Sequence, residues 1–355
     1  MFDVGRLELA RKRRRITAKI LAERSGVAPV TLSRIVNGRQ VPDEDTISKL
    51  VKALSFPAEF FEKDTADEID VEAASFRSLT TMTARERDAA LAAGALAFEV
   101  ADWLNSEYRL PEPDLLDLSQ ERNPTAAART LRQYWAIGEK PIGHMIKFIE
   151  SKGIRVFSLA ENTKNVDAFS VWRNGEPFIF LNTFKTAERS RFDAAHELGH
   201  LVLHKHGGPN QRSAEMEANE FASSFLMPSA DIRSQIPYVG SLSQIISAKT
   251  RWGVSAAALC YRLHKMGIIT EWQNRTFCIQ LNQRYRNAEP NGIAAERSSI
   301  WQTVLQDLWR RGSTRSKIAK ALHLPEPELE NLIFGLASDP TPPSQAGSQT
   351  IRAVK

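Results

Sequence analysis

Over most of the chain, apolar residues recur every three to four positions, the period of an amphipathic helix. Ile20, Leu21 and Ala22 mark one short helix, and Leu32, Ile35 and Val36 another, with Gly26 between them. Pro29 fits the first turn of the second, and Asn37-Gly38-Arg39 ends it. Ile47, Leu50, Val51 and Leu54 predict a helix over about 43–54. Thr83-Ala-Arg-Glu86 is a capping-box pattern opening a long helix to about Tyr108, which Pro111 and Pro113 stop. Further helices are predicted over about 125–135 and around Met145–Ile149, the latter ended by Gly153. The period then drops to two. Ile154–Leu159 reads as a strand, and Ser170–Arg173 and Glu176–Asn182 flank Asn174-Gly175, a strong hairpin turn signal. Phe192–Leu203 is helical again, and helices follow over 241–268. Thr276-Phe-Cys-Ile-Gln-Leu281 alternates like a short strand. The predicted fold is mainly α with a small β-sheet.

At 355 residues the chain is too long for one small core. Composition shifts divide it into a helical head over 1–62, an acidic linker over 63–74, a central domain over 75–235, a helical region over 236–337 and a disordered Pro/Ser/Gln-containing tail over 338–355. A hydrophobic content of 42% and a charged content of 25% describe a globular protein. No apolar run is long enough to span a bilayer, so no membrane partner is expected. The first residues lack the apolar stretch of a signal peptide. Two cysteines, Cys260 and Cys278, exclude a disulfide framework, and the expected location is cytoplasmic.

Charge changes the picture at one end. The net charge is +5, yet residues 1–40 carry ten Lys/Arg against three acids, an excess of +7. The whole basic excess therefore lies at this end of the chain, which points to nucleic acid.

The candidate chemistry lies in His196-Glu197-Leu198-Gly199-His200. Two histidines four residues apart share one helix face and can reach one zinc ion, while Glu197 can lean over a water on that ion. The surrounding residues are apolar, so buried His and Glu need partners, and a metal site supplies them. A catalytic zinc takes three protein ligands and leaves a fourth position open. His204, His206, Glu215 and Glu217 all follow His200 as candidates for the third. His204 shares the metal face, but one helix does not easily wrap three ligands around a tetrahedral ion. Glu215, Asn219, Ala222 and Leu226 share a face of the next helix, whereas Glu217 points away, toward solvent or an arginine. The strand Phe178–Asn182 is expected beside the cleft, its edge a clamp for an extended peptide.

Two resemblances add to this reading. Leu21-Ala-Glu-Arg-Ser-Gly-Val-Ala-Pro-Val-Thr-Leu-Ser-Arg-Ile-Val-Asn-Gly-Arg39 resembles the helix-turn-helix of Cro/CI-type phage repressors, the XRE-like family. That implies double-stranded DNA as partner, with Ala28, Pro29, Val30 and Arg34 facing bases and Asn37 and Arg39 meeting phosphate. Arg34 alone can make a bidentate contact to guanine. Ala18 stands where that family often has a phosphate-binding glutamine, with Lys19 and the Arg11–Arg15 run as substitutes. Ser75-Phe-Arg-Ser78, Ala128–Trp135, Glu150–Val156, His196–His200 and Glu215–Ala222 through Leu226-Met-Pro228 resemble the ImmA/IrrE metallopeptidases over about 75–230.

The second resemblance implies a zincin-like metallopeptidase domain, with His196, His200 and Glu215 as zinc ligands and Glu197 as the base. Asn219 and His204 would support the ligands. The implied activity is zinc-dependent endopeptidase cleavage of a protein substrate, a transcriptional repressor or other regulator, by a DNA-binding regulator; a homodimer is left open. The alternative is a transcription factor or antitoxin whose peptidase-like domain senses a ligand or a partner and cuts nothing. The helical C-terminal region carries an echo. Lys317–Gly335 repeats the apolar spacing of Ile20–Gly38, but with Glu326, Glu328 and Glu330 on the would-be recognition helix, which phosphate would repel.

Overall fold

The computed structural model describes residues 1–70, 75–76, 83–159, 168–207, 211–286, 288–337 and 352–353. Its helices are α1 (Val4–Arg13), α2 (Ala18–Ser25), α3 (Pro29–Val36), α4 (Glu44–Leu54), α5 (Ala84–Glu107), α6 (Pro124–Tyr134), α7 (Met145–Ser151) and α8 (Ala187–Leu203). They continue as α9 (Gln211–Leu226), α10 (Ser229–Gln235), α11 (Leu242–Ala248), α12 (Ala256–Lys265), α13 (Glu271–Tyr285), α14 (Ser299–Arg310), α15 (Arg315–Ala321) and α16 (Glu326–Ile333). The main strands of the small sheet are β1 (Arg155–Ser158), β2 (Phe169–Arg173) and β3 (Glu176–Leu181). The fold is mainly α with a small β-sheet, as the periodicity predicts. The chain separates into two compact units, both discontinuous in sequence. One comprises Met1–Leu110, Phe157–Asp167 and Ile300–Lys355; the other comprises Pro111–Val156 and Ala168–Ser299.

In the first unit, side chains of Asp3, Thr17 and Asp43 cap α1, α2 and α4, each satisfying a backbone N–H that the helix leaves unbonded. Gly26 turns α2 into α3 at a φ of 70°, a backbone state that L side chains resist. Leu7, Leu21, Leu32, Ile35, Leu50 and Leu54 form the core of the head. Phe56, Phe60 and Phe61 extend it, with the Arg6 and Arg14 guanidinium groups over Phe60 and Phe56. The acidic stretch expected as a linker does not hang free over its described part. Asp64 accepts from Arg6 through its carbonyl at 2.7 Å, Thr65 donates to Asp3 at 2.7 Å, and Ile69 is buried. Asp64, Thr65 and Glu68 thus bond to α1 and its cap. Alanine-rich α5 is buried along most of its length, and its Glu99 takes both Arg6 and Lys63. Helices α14–α16 belong to this unit, and Lys63 donates to the Leu322 carbonyl at 3.2 Å. Of the tail, only Arg352–Ala353 is described, pairing antiparallel with Tyr108–Arg109; the rest of the predicted disorder lies outside the described residues.

In the second unit, α8 packs along α9, which α6 also covers. The hairpin forms as predicted, with Val171 opposite Phe178 and with Asn174 and Gly175 both at positive φ. Helix α8 lies against β2 and β3. Strand β3 sits between β2 and β1, so both its edges are paired. The expected peptide clamp on that edge is therefore ruled out, since its backbone groups are already bonded. Thr276–Leu281 is not a strand but lies within α13. Thr270 and Gln273 form a capping box that starts the helix, and Phe277 turns inward while Cys278 and Ile279 stay exposed. Lys249, wholly enclosed, donates to Glu188 at 2.9 Å and lies 3.2 Å from Glu289. Arg191 reaches the carbonyls of Ile142 and Trp252 and pairs with Glu296.

Candidate functional site

Thr186 caps α8, and the helix then runs uninterrupted through the histidine motif. His196 and Glu197 are buried and His200 nearly so. One turn apart, the two imidazoles present their Nε2 atoms to each other at 3.1 Å. Helix α9 brings Glu215 to the same point, with Oε2 3.3 Å from His196 Nε2 and Oε1 3.4 Å from His200 Nε2. Burial alone would push the Glu215 carboxyl up, but the two imidazoles outweigh it and hold the group well below the usual carboxylate range.

The approach of α9 depends on Gly199. A Cβ at that position would stand 3.0 Å from Phe221 Cδ1 and 3.3 Å from the Ala218 backbone. The missing side chain is what lets α9, and Glu215 with it, come this close. Sequence reading took Gly199 only as part of the motif. The signal available was a glycine in the middle of a strongly apolar helix, where it costs about 1 kcal/mol relative to alanine and needs a packing reason.

The three donors fit a metal ion. Zinc bonds His nitrogen and carboxylate oxygen at about 2.0–2.2 Å, so neighbouring ligands of a tetrahedral ion lie roughly 3.3–3.5 Å apart. The separations of 3.1, 3.3 and 3.4 Å are close to that edge length. Glu215 Oε2 is buried without a hydrogen-bond donor, which is costly unless a cation takes its lone pairs. Among the described residues, His196, His200 and Glu215 are the group of this kind whose ligand atoms converge.

Around these donors lies a ring of support. His204 faces His200 through a contact between their Nδ1 atoms at 2.9 Å, and its Nε2 lies 2.9 Å from Glu217 Oε2. Glu217, expected to face solvent or an arginine, is partly exposed and pairs with His204 and not with an arginine. The end of α8 turns His204 toward α9, within reach of a side chain two residues past Glu215. Asn219 donates to the Glu215 carbonyl oxygen at 2.7 Å, one turn back, and so steadies the helix backbone at the ligand. His206 is exposed and pairs with Asp117 at 2.6 Å, away from the triad.

One residue was missed outright. The Ser170 hydroxyl, buried on β2, donates to Glu197 Oε2 at 2.8 Å. Its sequence signal was slight: a small polar residue at a buried position in an apolar strand.

In the head, Ala28, Pro29, Val30, Arg34, Asn37 and Arg39 all lie on the exposed face of α3 and the turn after it. Lys19 is exposed at the start of α2. Four residues of the Arg11–Arg15 run, expected as substitutes for the missing glutamine, have carboxylate partners in this chain. Arg11 pairs with Glu8, Lys12 with Glu68, and Arg13 and Arg14 with Glu328. These cations are turned to carboxylates of the same chain, a relation that charge counting cannot reveal.

Two family models match this chain. Peptidase family M78, described as the IrrE N-terminal-like domain, matches residues 149–264, which hold β1–β3, the histidine helix and α9–α11. A helix-turn-helix model matches residues 7–61. The chain joins an IrrE/ImmA-like peptidase-family domain to an XRE-type helix-turn-helix head. The IrrE-like match contains every member of the His–His–Glu cluster, together with Ser170, His204 and Glu217. It begins at Ile149, within α7, and ends inside α12, so it covers neither α5 nor α14–α16. No curated protein matches the chain.

Proposed function

We propose that this chain is a zinc-dependent endopeptidase tethered to a DNA-binding head, and that it cleaves a regulatory protein such as a transcriptional repressor. The observation that carries the reading is the convergence of His196, His200 and Glu215 at tetrahedral ligand spacing beside Glu197. Those three residues would hold the ion. Bound there, zinc supplies a Lewis acid for a peptide carbonyl and lowers the pKa of a water toward about 7.

The chain's own groups supply the proton chemistry. Glu197 takes the proton of the attacking water on its carboxylate and returns it to the nitrogen of the leaving amine. Ser170, donating to Oε2, holds that carboxylate in place. His204 and Glu217 orient the His200 ring. With His200 Nδ1 bonded to His204, Nε2 is left to face the ligand point. The helix-turn-helix match supports DNA binding, with the exposed α3 face carrying Arg34 as the reader of bases.

Metal analysis and cleavage assays against regulators encoded by neighbouring genes test the proposal together. The wild-type chain should hold about one zinc, and His200→Ala should lose it. Glu197→Gln should keep the metal while cleavage falls by about 10²–10⁴-fold. A metal-replete preparation without bound metal, or undiminished cleavage by Glu197→Gln, refutes the enzyme reading.

A further inference from the structure

The C-terminal echo is a repeat of backbone as well as of spacing. At one constant offset, the left-handed residues Arg15, Gly26 and Gly38, at φ of 56°, 70° and 69°, fall on Gly312, His323 and Gly335, at 62°, 54° and 70°. Thr17 and Thr314 fall together too, and each caps its helix by accepting from the backbone N–H three residues on. Helices α14, α15 and α16 thus follow the plan of α1, α2 and α3. Buried Leu21, Val27 and Leu32 correspond to buried Ile318, Leu324 and Leu329.

What differs is the reading helix. The positions of Val30 and Arg34 hold Pro327 and Asn331, and that of Thr31 holds Glu328. Helix α16 carries three glutamates and no cation. Its Glu328 is buried, at 3% exposure, and it takes Arg13 at 2.6 Å and also Arg14, both at the end of α1.

We propose that α14–α16 is a second helix-turn-helix module whose recognition helix docks on the first, so that α16 binds protein where α3 presents a face for DNA. The docking partner is the head of the same chain, and the contact is made by a carboxylate in the position that a phosphate takes for a basic reading helix. Two consequences follow. Arg13 and Arg14 are committed to Glu328 and contribute nothing to phosphate binding. The head and α14–α16 protect each other, because removing the Glu328 carboxylate leaves Arg13 and Arg14 without their partner inside the contact. None of this depends on the metal-site reading.

The test uses the full chain. In hydrogen–deuterium exchange, Glu328→Gln should raise exchange of α1 and α16 together by about tenfold or more. Glu330→Gln removes the same charge from an exposed position of the same helix and should change neither. Unmoved exchange in α1 for Glu328→Gln would overturn the proposal. A second arm measures affinity for duplex DNA against salt. Replacing both arginines, Arg13→Gln and Arg14→Gln, together with Glu328→Gln, so that no member of the cluster is left charged, should keep the wild-type salt slope. A slope less steep by about 0.9 per arginine, the share of one phosphate contact, would show these arginines on DNA and overturn it as well.

Discussion

Replacing Gly199 with alanine tests how the metal ligands are brought together. The added Cβ would meet Phe221 Cδ1 at 3.0 Å and Ala218 Cα at 3.3 Å. Carbon atoms in ordinary contact stay about 3.5–4.0 Å apart, so α9 must retreat by roughly half an ångström. Ala218 lies less than one turn from Glu215, so the same retreat draws the carboxylate away from imidazoles now 3.3 and 3.4 Å distant. Metal sites tolerate ligand errors of only about 0.2 Å. Overpacking costs about 1–3 kcal/mol, against which alanine's helix propensity returns about 1 kcal/mol, leaving a net loss of about 0–2 kcal/mol without metal. Zinc affinity should fall by about 10–100-fold, the range found when ligand orientation is disturbed. In urea unfolding, the stabilisation gained at a fixed saturating zinc concentration should then shrink by roughly 1.4–2.8 kcal/mol. Paired unfolding curves with and without zinc, and a competition titration, measure both effects. A variant stabilised by about 1 kcal/mol with unchanged zinc affinity would refute the argument, because it would mean that the two helices have room to spare.

Three further outcomes are expected. Arg34→Ala should cost about 1–3 kcal/mol of discrimination at one base pair of a selected operator, and a uniform loss across all sequences would place Arg34 on phosphate instead. Hydrogen bonds from Ser119, with His206 beside it, hold the Asp117 carboxyl down at about 2, below its ordinary 3.8. The stability it contributes is therefore present above pH 3.8 and lost as pH falls toward about 2, so Asp117→Asn should flatten the acid limb of a stability–pH curve there. Burial pushes the Cys260 thiol up to about 12, whereas Cys278 lies exposed on α13. A thiol reagent should titrate Cys278 alone in the native chain and both cysteines in denaturant; rapid native reaction of Cys260 would contradict its packing.

Local elements were legible because their causes are local. The Thr83 capping box, the Asn174-Gly175 turn and Gly26 each act through a few adjacent residues, and each stands where its pattern puts it. Helical spacing put Glu215 on one face with Asn219, and the resemblance chose it over Glu217; it is Glu215 that meets His196 and His200, while Glu217 meets His204. What sequence could not give were relations across distance. Alternation misled over Thr276–Leu281, where a cap several residues upstream decided for helix. The pairing of both β3 edges, the reach of Ser170 to Glu197 and the grip of Glu328 on Arg13 and Arg14 all depend on tertiary placement. Charge counting gave residues 1–40 an excess of +7 but could not show that Arg11, Arg13 and Arg14 face carboxylates of their own chain.

The first unit is assembled from segments that leave the ribosome far apart in time. At about 5–20 residues per second, Glu328 emerges roughly 15–60 s after Arg13 and Arg14. Through that interval α1–α4 can fold on their own local contacts, while two of their arginines have no carboxylate to hold. A nascent chain is thus more cationic at its leading end than the finished protein, and more open to any polyanion near the ribosome. A polypeptide cut off before α16 would stay in that condition permanently, so a nonsense mutation late in the gene should yield not an inert fragment but a stickier binder of nucleic acid.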